Sequence, residues 1–333
     1  MGFTKKASIE ASDHILSLAW SGDILVVTPS TGPILTVSLD GTTLKEFPEH
    51  GLGNGTSAVH EDQLATCGFD GKIRFYSIFG EADSPIREIT LGRGWIEHAR
   101  WSPDGQYLAA ALGKTLFILT TTGDTVCSFP DHKTSVSDFV WNPCNPREIA
   151  TICGGGARMW RVGAVEPYAK FDWGGASLIA GWSPDGRWLA TGDQTPSIHL
   201  YDFTRDYPLH IQGYETKVKA MGFAPNAKRF ATGGSPLVTV WNCTGATGPE
   251  GTTPKQLKFH KGDVEAIAWS PDGDHLASGD IVGRLVISDA YGKPLSAFET
   301  EEALSSLAWN SDGKRLAAGD ASGRVEIFEK AGK

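Results

Sequence analysis

One phrase returns along this chain and constrains what it can fold into more than any other feature. Trp101-Ser102-Pro103-Asp104-Gly105 recurs as Trp182-Ser183-Pro184-Asp185-Gly186 and as Trp269-Ser270-Pro271-Asp272-Gly273, with a near copy at Trp309-Asn310-Ser311-Asp312-Gly313. A run of small apolar residues follows each copy: Leu108-Ala109-Ala110, Leu189-Ala190-Thr191, Leu276-Ala277-Ser278 and Leu316-Ala317-Ala318. Self-similarity of this kind means one supersecondary unit stacked many times.

The unit can be counted from its anchors. Trp20, Trp101, Trp141, Trp182, Trp269 and Trp309 mark six, and Val59 and Phe223 hold the same place in two more. Successive steps are 39, 42, 40, 41, 41, 46 and 40 residues. A period near 40 with four strands per unit is the pattern of a β-propeller blade. In the Trp269 unit the strands read Val264–Trp269 (a), His275–Ser278 (b), Arg284–Ser288 (c) and Pro294–Phe298 (d). Ser-Pro-Asp-Gly turns a into b, since Pro presets φ and Gly accepts a positive one. Gly279-Asp280-Ile281-Val282-Gly283 turns b into c.

The Trp309 unit holds strands a, b and c and then the chain stops, while Thr4–Glu10 reads as a strand d. The expected fold is therefore all-β: a single propeller domain over 1–333, of eight four-stranded antiparallel blades, its ring closed by the N-terminal strand. The expected blades span 12–47, 53–91, 94–129, 133–171, 175–211, 215–259, 261–298, and 302–329 together with 3–10. The one outsized connection, Cys243 to Gln256, reads as a flexible excursion.

Composition removes several functions. The net charge is −9, and no run of Lys or Arg makes a phosphate-binding face, so direct nucleic-acid binding is not expected. The polar N-terminus carries no signal-peptide pattern, and no stretch approaches the length of a membrane helix. Five cysteines, without Cys-x-x-Cys, fit reduced thiols in a cytoplasmic protein. A monomer is expected.

On its period and motifs the chain resembles the WD-repeat β-propeller family along nearly its whole length. That family's blade carries a His before strand a, an Asp in the b–c turn and a Trp-Asp ending strand c. Here His50, His132 and His260 stand nine residues before their anchors, with Tyr214 and Trp173 in that place in two other units. The Val59 unit matches most fully, with His50, Thr66, Asp70 and Tyr76, and no Trp-Asp pair survives intact. The resemblance implies that these histidines are held in networks inside their blades, and that the d–a and b–c loops open on a narrow binding face.

Periodic residues are building material, so candidates for function are those the repeat leaves free. Six residues before the anchors stand His14, Gly53, Trp95, Ser135, Ala176, Lys217, Asp263 and Ala303; four before stand Leu16, Gly55, Glu97, Ser137, Leu178, Lys219, Glu265 and Ser305. Trp95 is a large aromatic on a loop, the usual form of an interface anchor. Lys217 and Lys219 precede Asp263 and Glu265 by one repeat, and the four could read a charged peptide or neutralise one another. The expected partner-binding set is Trp95, Glu97, Lys217, Lys219, Asp263, Glu265 and His14. Asp193, Asp280 and Asp320 recur in b–c turns, either as turn caps or as a second, acidic patch.

Cys67, His98 and Cys153 are weak metal candidates, because their spacing matches no local zinc motif. No cofactor is expected. Glu97-His98 is the nearest approach to an acid–base pair, yet adjacent strand residues point to opposite faces unless a bulge intervenes. The expected function is a non-catalytic scaffold that holds a protein or peptide on its narrow face. The alternatives are an enzyme with its site in the central channel and a metal-handling accessory protein.

Overall fold

The computed structural model describes residues 2–130 and 132–332; Met1, Asp131 and Lys333, part of the expected 1–333 span, lie outside it. The repeated phrase forms a locked hairpin turn. Ser102 Oγ donates to Asp104 Oδ1 at 2.6 Å and accepts from Tyr107 N–H at 3.0 Å, while Gly105 takes φ 68°. Ser183, Asp185 and Trp188 repeat the arrangement.

Hydrogen bonding groups the strands into seven sheets. Five contain four consecutive strands, beginning at Ile15–Ser21, Ala58–His60, Ala99–Trp101, Ala220–Phe223 and Val264–Trp269. A sixth joins Phe3–Glu10 to Arg324–Lys330, Arg315–Asp320 and Leu304–Trp309. The seventh has six strands: Asp138–Asn142, Asn145–Arg161, Ala169–Trp182, Trp188–Asp193, Ser197–Asp202 and Tyr207–Gln212. The expectation of eight separate four-stranded blades is therefore corrected: the propeller has seven blades, one of them six strands wide. Among the described residues no sheet closes on itself by hydrogen bonds.

The fusion of the Trp141 and Trp182 units has a local cause. Most other b–c and d–a connections carry Asp, Pro or Ser, but here they read Gly154-Gly155-Gly156 and Trp173-Gly174-Gly175. Glycine sets no turn geometry of its own, and extended pairing runs through, with Gly154 opposite Ala176 and Ser177 opposite Asp193. The 17-residue strand Asn145–Arg161 doubles back within itself: Val162 N–H donates to the Arg147 carbonyl at 2.8 Å.

The anchor tryptophans do more than fill space. Trp101 lies in one apolar cluster with Ala58 and Ala65, and Trp141 with Ala109 and Leu116, so each wedges into the sheet before it, while Trp182 packs on Ala150 and Ile152 of its own fused sheet. Five of the six indoles also donate a hydrogen bond backwards. Trp20 Nε1 reaches the Ala308 carbonyl (3.0 Å), Trp101 that of Ala58 (3.2 Å) and Trp141 that of Arg100 (3.0 Å). Trp269 reaches that of Gly222 (3.0 Å) and Trp309 that of Ala268 (3.1 Å). In every case the acceptor is the residue just before the preceding anchor. Trp182 alone turns its N–H to its own hairpin, at Gly186 (3.1 Å). There Asp138 takes over, receiving Arg100 from the preceding sheet and Ala180 N–H from the Trp182 unit, the latter at 2.9 Å.

Phe3–Glu10 pairs antiparallel with Arg324–Lys330, from Phe3 opposite Lys330 to Glu10 opposite Arg324. Its Phe3, Ala7 and Ile9 are buried. The next strand, Ile15–Ser21, lies against Leu304–Trp309. The Cys243–Gln256 excursion, expected to be flexible, is tied down. Arg187 donates to the Gly245 and Ala246 carbonyls at 2.8 and 2.6 Å, Arg205 pairs with Glu250 at 3.0 Å, and Gly248 sits so close to the Trp188 ring that a Cβ would stand 2.3 Å from it.

Two stability changes follow. Trp141→Phe keeps the aromatic wedge but loses the indole bond to the Arg100 carbonyl, and should cost about 0.5–1.5 kcal/mol in urea unfolding. Removing residues 1–10 exposes the edge of Arg324–Lys330 and forfeits the burial of Phe3 and Ile9, each worth about 1.5–3 kcal/mol. A truncated protein that melts at the full-length temperature would contradict the role given to that strand.

Candidate functional site

Buried polar networks occupy the places where the repeat set histidines. His50 Nδ1 donates to Asp70 (3.0 Å) and its Nε2 accepts from Thr66 Oγ1 (2.9 Å). His260 does the same with Asp280 (3.2 Å) and Ser278 (2.7 Å), so the Val59 unit is not alone in having a carboxylate there. His132 Nδ1 donates to the Lys114 carbonyl, and its Nε2 accepts from Thr151 Oγ1, which itself accepts from Trp160 Nε1. In the Phe223 unit Trp241 Nε1 donates to the Tyr214 hydroxyl, which bonds Thr232. All three histidines thus carry their proton on Nδ1. These side chains stiffen sheets and have no free valence for a ligand in the networks.

The freely varying positions gather at one end of the inner strands. Where the ladder is regular up to its end, the residue four before the anchor is a bulge: Leu16, Leu178, Glu265 and Ser305 each fall in a register shift. A bulged residue has no ladder partner to satisfy and its side chain is re-aimed. The equivalent Glu97 and Ser137 lie just ahead of the strands Ala99–Trp101 and Asp138–Asn142.

Three of these equivalent positions, Glu97, Ser137 and Leu178, line one cavity of about 840 Å³, together with Trp95, His98, Leu112, Ser135 and Phe139. Trp95 is 64% exposed at its rim and leans on Phe69, with ring centroids 5.3 Å apart. Gly94, at φ 141°, supplies a backbone turn that side chains rarely adopt, and this swings Trp95 out of the sheet register. Leu178, 40% exposed, faces the same space. Glu97 and His98, expected on opposite faces, share this wall because both precede the regular strand. Burial, then the charge of Arg100, holds His98 below the ordinary histidine range, and its Nδ1 has no hydrogen-bond partner. The cavity therefore offers an apolar floor, a carboxylate and a neutral imidazole.

The remaining candidates divide. Lys219 is ion-paired with Glu265 across the sheet boundary, while Lys217 is exposed and has no ion pair among the described residues. Asp263 is half-buried and gives its carbonyl to Ile281 N–H. His14 is half-buried beside Asp13, whose carboxylate Ser30, then His14 N–H and Thr31, hold low. Asp193, Asp280 and Asp320 are 3%, 0% and 1% exposed, so their carboxylates are directed into the fold. Asp280 and Asp320 cap their turns, each accepting from backbone N–H groups two and four residues on.

Asp193 is different: it accepts from Ser177 (2.7 Å), Thr191 (3.2 Å), Ser197 (3.0 Å) and His199 (2.7 Å). Cys67, His98 and Cys153 do not assemble. Cys67 is buried, with its Sγ turned to the Thr56 carbonyl and its thiol pushed up by burial, and Cys153 turns to Gly154. Among the described residues the only trio of possible ligands whose ligand atoms lie within 4.8 Å of one another is Asp193, His199 and His210. Sequence reading passed over both histidines. The available signal was their symmetric placement about the Phe203–Asp206 turn, which sets 199 opposite 210.

Comparison with known proteins agrees with this architecture. The model of the family described as WD domain, G-beta repeat matches residues 176–202, 251–281 and 292–329. Coronin-7 of Rattus norvegicus is 25% identical over 307 residues, covering 87% of this chain. The WD repeat-containing protein VIP3 of Arabidopsis thaliana is 26% identical, covering 58%, and protein hir1 of Schizosaccharomyces pombe 24%, covering 69%. This chain spans only 28%, 56% and 24% of those relatives' own lengths. The crystal structure of the computationally designed Ika8 protein superposes with a TM-score of 0.85 at 17% identity, covering 98% of this chain and 99% of that one.

The buried histidines predict a pH response. Burial holds His50 and His260 below the ordinary value, with Asp70 and Asp280 offsetting only part of it. The unfolded chain therefore takes up protons first as pH falls through the ordinary histidine value, and stability present above that value is lost below it. The melting temperature should fall between about pH 7.5 and 5.5. His260→Gln should flatten that slope while lowering the plateau at neutral pH.

Proposed function

Because the chain belongs to the WD-repeat β-propellers, we propose that it is a non-catalytic scaffold whose task is to hold a protein or peptide partner. The partner sits on the face that carries the d–a loops, with Trp95 as its anchor. The observation that carries this reading is the placement of Trp95. It is a large aromatic, mostly exposed, outside the repeated core register, at the rim of a cavity whose Glu97, Ser137 and Leu178 come from equivalent positions of three units. Aromatic side chains beside an apolar depression are the usual centres of binding energy in interfaces. A rigid ring with variable loops displays such a patch without reorganisation on binding. Lys217, facing solvent without an ion pair among the described residues, extends the surface toward the Phe223 unit and would act on encounter rate more than on affinity.

The test compares two tryptophans. Against a partner recovered with the wild-type protein, Trp95→Ala should weaken binding by roughly 30-fold or more, the loss of a hot-spot residue of about 2 kcal/mol. Its unfolding free energy should change by about 1 kcal/mol at most, from the lost contact with Phe69. Trp182→Ala should instead cost about 3–5 kcal/mol of stability. Equal destabilisation by both variants, or unchanged binding by Trp95→Ala, would remove this face from consideration.

A further inference from the structure

The Trp182 unit departs from every other unit at its polar network. In the Val59 and Trp269 units the histidine comes from the d–a segment and meets the b–c aspartate from outside the sheet. In the Trp182 unit Trp173 holds that place and gives its indole N–H to Ser177. The histidine bound to Asp193 comes instead from strand c, at His199, and a second histidine stands directly across from it on strand d, at His210. The shared fold asks for neither histidine, because no other unit has one at either position.

The three side chains are arranged as ligands are. Their ligand atoms lie within 4.8 Å of one another. Asp193 Oδ1 is fixed by the hydroxyls of Ser177 and Thr191, and Oδ2 accepts from Ser197 Oγ at 3.0 Å and faces His199 at 2.7 Å. The Trp173 ring stacks on His199 at 4.4 Å between centroids and sets its plane, and His210 stacks on the other side at 4.2 Å. Hydrogen-bonded carboxylate and positioned imidazole are the outer support that metal ligands ordinarily have. A cavity of about 410 Å³, lined by Trp173, Thr191, His199, Tyr201 and His210, opens beside the trio.

We infer that Asp193, His199 and His210 form a binding site for a divalent transition-metal ion of zinc type, with an open coordination position facing that cavity. Two imidazoles and one carboxylate with a fourth position free are a donor set that Zn²⁺ takes at about 2.0–2.2 Å per ligand. On binding, the ion takes the place of the proton between Asp193 Oδ2 and His199 Nδ1, now 2.7 Å apart, and the imidazole keeps a proton on Nε2 by exchange with solvent, so that it meets the ion as a neutral ligand through Nδ1. His210 is exposed, stacks on His199 and has one side-chain hydrogen bond among the described residues, at 3.4 Å to Gln212, so it is the ligand free to tilt from its stacked position onto the ion. The site is independent of the Trp95 face and stands whether or not that face binds a partner.

The experiment is a titration of chelator-stripped, desalted protein with ZnCl₂ by calorimetry, beside the melting temperature with and without Zn²⁺ and the visible spectrum with Co²⁺. The wild type should bind one equivalent, gain thermal stability and give Co²⁺ an intense four-coordinate band. His210→Gln, at an exposed position, should melt as the metal-free wild type does, bind at least roughly tenfold more weakly and lose the Co²⁺ band. Cys144→Ser, at the exposed thiol, should bind as the wild type does. No binding by the wild type, undiminished binding by His199→Gln/His210→Gln, or loss of binding in Cys144→Ser would each overturn the assignment.

Discussion

The structure depends on a hydrogen bond from an indole to the backbone of the neighbouring sheet. The first strand of every unit except the Trp182 unit is the edge of its sheet, with no partner strand beyond it. A tryptophan from the next unit answers this in two ways at once. Its apolar body fills the gap between two twisted sheets, and its one donor bonds a carbonyl of the edge strand. Leucine or phenylalanine could do the first, but neither has the donor. The acceptor falls at the same register five times, so the bond also fixes how far one sheet slides along the next.

The Trp182 unit shows what happens when this device is missing. Its indole bonds within its own turn, and its sheet is fused to the one before through backbone pairing and the Asp138 carboxylate. The same unit carries Trp173 in the histidine's place and takes its network histidine from another strand. These departures lie together in space. A repeat that relaxes its own rules in one unit frees that unit's polar residues for other use, as conflict between local pattern and global fold does elsewhere in proteins.

Much of this was legible in the sequence because the anchors, turns and small residues after them obey one period, and periodicity is a direct statement about packing. Strand boundaries such as Val264–Trp269 follow from it. The fused sheet was not legible: Gly154-Gly155-Gly156 reads as a turn, and only pairing across to Ala176 reveals continuity. Within the cavity, Trp95 announced itself by lying off the register. That Glu97 and His98 share a wall did not, because alternation holds only inside a regular strand and this one starts at Ala99. His199 and His210 were hidden for the opposite reason, since each looks ordinary alone and only the hairpin register brings them opposite.

The pairing of Phe3–Glu10 with Arg324–Lys330 has a mechanical consequence. The strands run antiparallel, with Phe3 opposite Lys330 and Ala331 N–H bonded to the Gly2 carbonyl, so the two ends of the described chain leave the ring from one point. A force applied between them therefore acts across the strands and not along them. It would open the ladder one rung at a time, like a zipper, starting from Gly2 and Ala331 and moving toward Glu10, while the remaining sheets bear no load. A strand pairing that resists shear along its length would thus yield readily to traction across it, and the outermost strand is where the molecule would first respond to being pulled.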